Sequence, residues 1–495
     1  MSHILATKKD EAMLYVSCDD DVAQELSDYF SFFTPGYQYQ PKFKAGIWDG
    51  KIRLFDRRFY TLPYGLIAYL QKFATDRGYQ LSIDDNILLT TNFSITEAEA
   101  FAQRLQLPHT PYDHQIEAFA KAIRNRRALV LSPTSSGKSL LIYLISRFLE
   151  QTHKKGLIIV PTTSLVEQLY SDLKDYGWNV EKFVHRIYAG KAKFTNHYLT
   201  ISTWQSMWMQ TPEYMTQFDF MIGDEAHQFK ATSLTQLMNR MTNASVRIGT
   251  TGTLDGWKVH KLALEGMFGN VFQATTTRKL MDAGIISDLK IKCLVLKYPQ
   301  EFCKTALTIT DPSGKKRKAT YQEEYQAVIA YPPRTKFIRN LTLSIPGNTL
   351  ILFQLVEKHG KVIYEDLKEH AGADRVFFVH GEIDTEERER IRKIVEQSTN
   401  AIIVASYGTF STGINIRNLH NVIFAGPSKS RIRNLQSIGR GLRKAEGKTH
   451  ATLFDIVDDL RIGKRENFLL QHFAARATTY NEEKLLFKQY LIDLG

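Results

Sequence analysis

Between residues 127 and 284 the chain alternates short apolar runs with amphipathic stretches: RALVLSP, GKSLLIYLISRFLE, GLIIVP and TSLVEQLYSDLKDY, then HYLTIST, FDFMIGDE and SVRIGTTGT. A run of about four to seven apolar residues suits a strand buried on both faces, and an apolar period of about 3.6 residues suits the helix that covers it. That alternation predicts a parallel sheet with helices on both sides. A second series begins near residue 348 with TLILFQ, RVFFVHGE, AIIVASYG, NVIFAGP and ATLFDIVDD, separated by helical stretches such as TEERERIRKIVEQ. The expected fold class is α/β, with two parallel-sheet lobes.

Residues 1 to about 105 read differently. Strands are expected around FKAGIWDGKIRLFD, a helix at LPYGLIAYLQKFATDRG and a further β-like stretch at LSIDDNILLTT. These predict a small, separate α+β domain. Between the two lobes, SGKKRKATYQEEYQAVIAYPPRTK is polar and interrupted by proline, which predicts a loop and linking helices instead of sheet. The expected boundaries are an accessory domain over 1–106, a first lobe over 107–284 and a second over 285–495, with a linker region at 285–347.

With 495 residues, of which 43% are hydrophobic, the chain can fill two or three cores. Its formal net charge of +12 points to a polyanionic partner. The excess is uneven: residues 1–110 hold 11 Lys/Arg against 14 Asp/Glu, whereas residues 285–495 hold 33 against 24. Cys18, Cys293 and Cys303 are too scattered for a disulfide framework or a zinc site, which fits a reducing compartment. No stretch resembles a signal peptide or reaches the ~18 apolar residues of a membrane span, so a soluble cytoplasmic protein without a membrane partner is expected.

The stretch SPTSSGKS carries the ending of a phosphate-binding loop, with Ser132 where the general pattern has its first glycine. A strand delivers it and a helix follows, so the amides of Thr134, Ser135, Ser136 and Gly137 can turn toward an anion at the positive helix end. Lys138 would meet the β- and γ-phosphates, and the Ser139 hydroxyl would help hold Mg²⁺. An ordinary turn capped by Ser135 or Ser136 is the other reading of this stretch alone. MIGDEAHQF decides against it by placing two carboxylates at the end of an apolar strand in the same sheet. Asp224 would bind the metal through water, and Glu225 would polarise the attacking water. His227 would link this site to Thr251 and Thr253. ATP and Mg²⁺ are the implied cofactors.

A kinase needs no second α/β lobe, whereas a motor needs a cleft that closes on ATP. In NLQSIGRGLRK, Gln436, Arg440 and Arg443 recur at spacings of four and three, which places them on one helical face. The two guanidiniums, of Arg440 and Arg443, would stabilise transition-state charge on a γ-phosphate when the lobes close. Taken alone, the segment also reads as a solvated basic helix.

PTSSGKS, IVPTTSLVEQ, STWQS, DEAH, TGT, ILFQ, VHGE, ASYGTFSTGINIRNL and QSIGRGLR follow the order of a superfamily 2 helicase over about residues 110 to 460. KFKAGIWDGKIRLFD with LPYGLI, KLMDAGIISDLKI and VASYGTFSTGINIRNLH extend the resemblance over nearly the whole chain to the UvsW-type helicases of T4-like phages. The resemblance implies two RecA-like lobes and an ATP-dependent DNA helicase that unwinds branched DNA and R-loops, regresses forks and migrates Holliday junctions in recombination and repair. It also implies 3′ to 5′ polarity. Gln115 in PYDHQIEAF resembles the adenine-reading glutamine, and Gly413 is carried over as a nucleotide-site residue. Ala226 replaces a cysteine found in that family, and Asn415 stands where many superfamily 2 proteins have an acid.

A translocase grips sugar-phosphate through amides and hydroxyls, because contacts that release at every step cannot depend on base identity. By resemblance, Thr162, Thr163, Thr203, Gln205 and Ser206 in the first lobe and Thr409, Ser411 and Thr412 in the second line the strand track. Helix capping is the other reading of each. Residues 42–58 hold six Lys/Arg against two acids, interleaved with Phe43, Trp48 and Phe55. Lys42, Lys44, Lys51 and Arg53 could hold phosphates while Trp48 stacks on an opened base; equally, the aromatics could be core and the charges solvated. TWQSMWM is expected to be partly core. The expected partners are single-stranded, forked and junction DNA and an RNA–DNA hybrid, bound by a monomer. Two rival readings are an RNA-remodelling ATPase and a non-enzymatic DNA-binding or annealing protein gated by ATP. A third, the motor of a restriction complex, needs a nuclease partner, because this chain shows no nuclease constellation.

Overall fold

The computed structural model describes residues 3–87, 89–152, 154–188, 196–230, 232–310, 314–409, 416, 418–428, 430–442, 448, 450–463 and 466–495; within helices, the side chains of residues 230, 232, 233, 385, 431–433, 436 and 440 are outside this set. The chain forms two compact units, the first made of residues 1–132 and 137–275 and the second of residues 133–136 and 276–495.

The first unit opens with β1 (His3–Lys8), β2 (Met13–Ser17), β3 (Ser31–Phe33), β4 (Lys51–Arg53), β5 (Thr61–Pro63) and β6 (Gln80–Ile83). A mixed four-stranded sheet runs β5-β2-β1-β6, and β3 pairs with β4 as a separate ribbon. Helices Asp20–Tyr29 and Ile67–Arg77 cover the sheet with Leu26, Leu70 and Phe73. The expected strand around FKAGIWDGKIRLFD is divided: Pro41–Lys44 is a helical turn started by its proline, and only Lys51–Arg53 is extended.

This α+β domain has its own core, yet it is packed onto the lobe that follows. Arg127 donates through Nη2 to Glu11 O at 2.5 Å and to Glu11 Oε2 at 3.0 Å, with its guanidinium 4.0 Å from the centre of the Tyr64 ring. Tyr69 donates to Glu265 Oε2 at 2.7 Å. Gly65 lies so close to helix Lys258–Phe268 that a Cβ there would stand 2.0 Å from Glu265 O.

The lobe comprises β7 (Arg127–Leu131), β8 (Gly156–Val160), β9 (Val184–Ile187), β10 (Leu199–Thr203), β11 (Phe220–Asp224), β12 (Val246–Thr251) and β13 (Val271–Gln273). All pair in parallel in the order β13-β7-β12-β11-β8-β10-β9. Alternate residues of β8 enter opposite cores, Ile158 and Val160 on one face and Leu157 and Ile159 on the other. That is why the strands read as unbroken apolar runs.

The second unit contains β14 (Asp288–Lys297), β15 (Thr308–Thr310), β16 (Lys316–Lys318), β17 (Thr349–Phe353), β18 (Val376–Val379), β19 (Ile402–Ser406), β20 (Asn421–Phe424), β21 (His450–Asp459) and β22 (Phe487–Asp493). Seven of these form a parallel sheet in the order β18-β19-β17-β20-β21-β14-β22. The stretch expected to link the lobes holds helices Tyr321–Ile329 and Pro332–Ser344, but β16 pairs there with β15. The second sheet also begins earlier than expected, because β14 lies between β21 and β22 with Cys293 and Val295 on one face and Leu294 and Leu296 on the other. Among the described residues no helix is long and apolar enough to cross a membrane.

Candidate nucleotide site and nucleic-acid contacts

β7 and β11 flank β12, so the residues after their carboxyl ends meet over one strand. The register fixes the meeting, since Leu131 pairs with Thr251 and Asp224 with Thr250. Ser132 N donates to Thr251 O at 2.9 Å, which starts the loop against β12. Ser135 (φ 68°) and Gly137 (φ 78°) both adopt left-handed backbone, turning the loop tightly before helix Lys138–Glu150 begins. Glycine suits position 137 because its backbone is left-handed, and a Cβ there would stand 2.1 Å from Gln115 Nε2 and displace that amide. Ser136 Oγ donates to Pro133 O at 2.7 Å, closing the turn from inside. Thr134 is half-buried. Lys138 Nζ is 3.4 Å from Ser132 O, folded back over the loop, and the Ser139 hydroxyl is 2.9 Å from Tyr176 OH.

Gln115 is buried and uses both ends of its amide: Oε1 accepts from Tyr112 N at 2.8 Å, and Nε2 donates to Gly137 O at 3.2 Å. It therefore joins the start of its own helix to the phosphate loop.

The acidic pair is held from β12. Thr250 Oγ1 donates to Asp224 Oδ1 at 2.7 Å, and Glu225 N donates to the same oxygen at 2.9 Å. Burial pushes the Asp224 carboxyl above the usual aspartate range and the neighbouring Glu225 charge adds to this, while Lys138 and the two hydrogen bonds oppose it. Glu225 has a left-handed backbone (φ 50°), which swings its carboxylate away from the strand direction. Glu225 Oε2 lies 3.3 Å from His227 Nδ1 as a close contact, and hydrogen bonds run from His227 Nδ1 to Thr251 Oγ1 at 3.0 Å and from Thr251 Oγ1 to Thr253 O at 3.1 Å. Lys138, Ser139, Asp224, Glu225, His227, Thr251 and Thr253 are thus carried on adjoining ends of one sheet.

In the second unit, Gln436 and Arg440 lie on helix Arg431–Gly441, with side chains outside the described residues. Ser411, Thr412, Gly413, Asn415 and Arg443 also lie outside them. Thr409 is buried, and its Oγ1 is 2.8 Å from Ser406 Oγ.

Thr162 follows the carboxyl end of β8, and Thr203 is the last residue of the adjacent strand β10. Thr162 caps helix Thr163–Asp175 by accepting from Leu165 N at 3.3 Å, and Thr203 Oγ1 bonds Ser206 Oγ at 3.1 Å. Thr163 and Gln205 are exposed. Trp204 and Trp208 pack on the core around buried Met207, while Met209 faces solvent. In the N-terminal domain Lys42 and Lys44 are exposed, Trp48 Nε1 donates to Lys51 O at 2.9 Å, and Lys51 Nζ sits 5.1 Å from the centre of the Phe33 ring. Arg53 pairs with Asp49. Phe55 is core, whereas Phe33 stacks on Tyr37 and remains half exposed.

Sequence reasoning missed Thr250, Tyr176 and Tyr112. Thr250 and Tyr176 gain their importance from strand register and helix placement, which leave no local motif. Tyr112, an exposed aromatic three residues before Gln115, could have been noticed in PYDHQ.

Three family models match in chain order: "DNA helicase UvsW, N-terminal" over residues 4–84, "Type III restriction enzyme, res subunit" over 108–256 and "Helicase conserved C-terminal domain" over 334–445. The ATP-dependent DNA helicase UvsW of Enterobacteria phage T4 is 35% identical over 502 residues, 97% of each chain. The chain belongs to the UvsW helicase family. The crystal structure of T4 UvsW matches over 100% of both chains with a TM-score of 0.53 and 33% identity. A more distant relative, the DNA 3'-5' translocase XPB2 of Sulfurisphaera tokodaii, is 22% identical over 81% of this chain and 93% of its own. As a member of the UvsW family the protein is a superfamily 2 DNA helicase that hydrolyses ATP, with two RecA-like lobes and an N-terminal α+β domain.

Proposed function

We propose that the helicase remodels branched DNA: it regresses forks, migrates Holliday junctions and unwinds R-loops in recombination and repair, moving 3′ to 5′. One observation carries this reading, the similarity to T4 UvsW over 97% of both chains, which includes the N-terminal domain as well as the motor. Exposed Lys42 and Lys44 beside Trp48, Lys51 and half-exposed Phe33 support a role for that domain at a branch, since cations can hold phosphates while aromatic faces take an unpaired base. Thr162, Thr163, Thr203, Gln205, Ser206, Thr409, Ser411 and Thr412 would line the strand track. The working division is 1–106, 107–284 and 285–495, and the protein would act as a monomer in the cytoplasm of a host cell.

In the ATP cycle Lys138 and the amides of the phosphate loop would bind the phosphates, Gln115 would read the base, and Gly413 would belong to the same site. Glu225 would take the proton of the attacking water. His227, Thr251 and Thr253 would relay the state of Glu225 into β12, and Gln436, Arg440 and Arg443 would stabilise the γ-phosphate charge. Ser139 and Asp224 fit Mg²⁺: they are oxygen donors, and the buried Asp224 carboxylate gains from a nearby cation. When bound, the metal would neutralise phosphate charge.

The test is steady-state ATP hydrolysis by the wild type and Glu225→Gln without nucleic acid and with single-stranded DNA, linear duplex, a four-way junction or duplex RNA. Strong stimulation by single-stranded and junction DNA that disappears in the variant is expected. Stimulation by RNA equal to or above that by junction DNA would instead favour an RNA-remodelling ATPase.

A further inference from the structure

Ser139 lies on the first turn of helix Lys138–Glu150, with its hydroxyl oxygen 2.9 Å from the phenol oxygen of Tyr176. Tyr176 ends helix Thr163–Asp175, its amide donating to Asp172 O at 3.0 Å. Its ring packs on Tyr143 at 5.4 Å between centroids, and Gly177 (φ 90°) turns the chain so that Trp178 packs on the same ring at 5.9 Å. Tyr143 OH in turn accepts from Arg147 Nη1 at 3.0 Å. The phenol therefore stands on a fixed aromatic support.

A serine hydroxyl that gives a lone pair to a divalent cation must send its hydrogen away from that cation. Without an acceptor on the far side it rotates, or it loses a hydrogen bond on coordination. The Tyr176 oxygen, 2.9 Å away, can supply that acceptor. We propose that Tyr176 is a positioning residue for Mg²⁺, accepting the Ser139 hydroxyl hydrogen and thereby aiming the Ser139 lone pairs at the cation. The proposal rests on the reading of Ser139 as a metal ligand. The helix that Tyr176 ends begins at Thr162 and Thr163, so one rigid element joins this contact to the strand track.

The test is a Mg²⁺ titration of binding of a fluorescent non-hydrolysable ATP analogue, mant-AMPPNP, to the full chain. Tyr176→Phe keeps the ring and its packing. It should raise half-saturating Mg²⁺ on the order of tenfold and leave the affinity in EDTA unchanged. Ser139→Ala should show at least as large a rise, and Tyr176→Phe should add nothing in the Ser139→Ala background. A wild-type titration for Tyr176→Phe beside a shifted Ser139→Ala would overturn the role of Tyr176, as would a Tyr176→Phe shift that persists without the Ser139 hydroxyl. A wild-type titration for Ser139→Ala would instead remove the reading of Ser139 on which the proposal stands.

Discussion

Asp224 is held in a state that costs the fold. Burial and Glu225 raise its carboxyl above the ordinary aspartate value of 3.8, so the folded chain binds this proton more tightly than the unfolded chain does. Stability from this group is present below the unfolded value and is lost as pH rises through the folded one. Asp224→Asn lacks that loss. It should abolish ATP hydrolysis while melting above the wild type, by a margin that grows from pH 4 toward neutrality; a margin that shrinks over this range would contradict the assignment. That Lys138, Ser139, Asp224 and Glu225 come to adjoining ends of one sheet was legible in the sequence, because each follows or ends an apolar strand run. Thr250 was not, because its partnership with Asp224 comes from the β11–β12 register, which no local pattern encodes.

At the level of elements, strands buried on both faces were readable as apolar runs, and β7, β8, β11, β17 and β19 fall where those runs predict. β22 has no such run, since FKQYLID is largely exposed at the sheet edge; β9, VHRI, is interrupted by His185 and Arg186, and β13 has only three residues. β14 is apolar enough to see, but its partner β21 lies far along the chain and polar sequence follows it. Beneath β21 the core carries charge that patterning cannot reveal. Arg334 donates to Asp458 Oδ1 at 2.7 Å and to Ala425 O at 2.7 Å, with both ionic groups fully buried, and Tyr298 OH adds a bond to Asp458 at 2.6 Å. Arg334→Met leaves the buried Asp458 carboxyl without its partner, so unfolding in urea should show a loss of about 3–5 kcal/mol. Adding Asp458→Leu should recover much of it, because the cost belongs to the unpartnered buried group.

For the whole molecule, the seam between the N-terminal domain and its lobe was the least legible feature. Glu11, Tyr64, Gly65 and Tyr69 look like ordinary residues of a small domain, yet they meet Arg127 and Glu265. Arg127→Ala should therefore reduce amide protection in β1 and β2 together with β7, measured by hydrogen exchange; loss confined to one side would show that the two parts open independently. Gly65 admits no side chain against helix Lys258–Phe268, so the domain and its lobe meet backbone to backbone. If the domain holds a branch as proposed, the nucleotides there would stand at a set spacing from any strand crossing the first lobe, and the seam would act as a ruler.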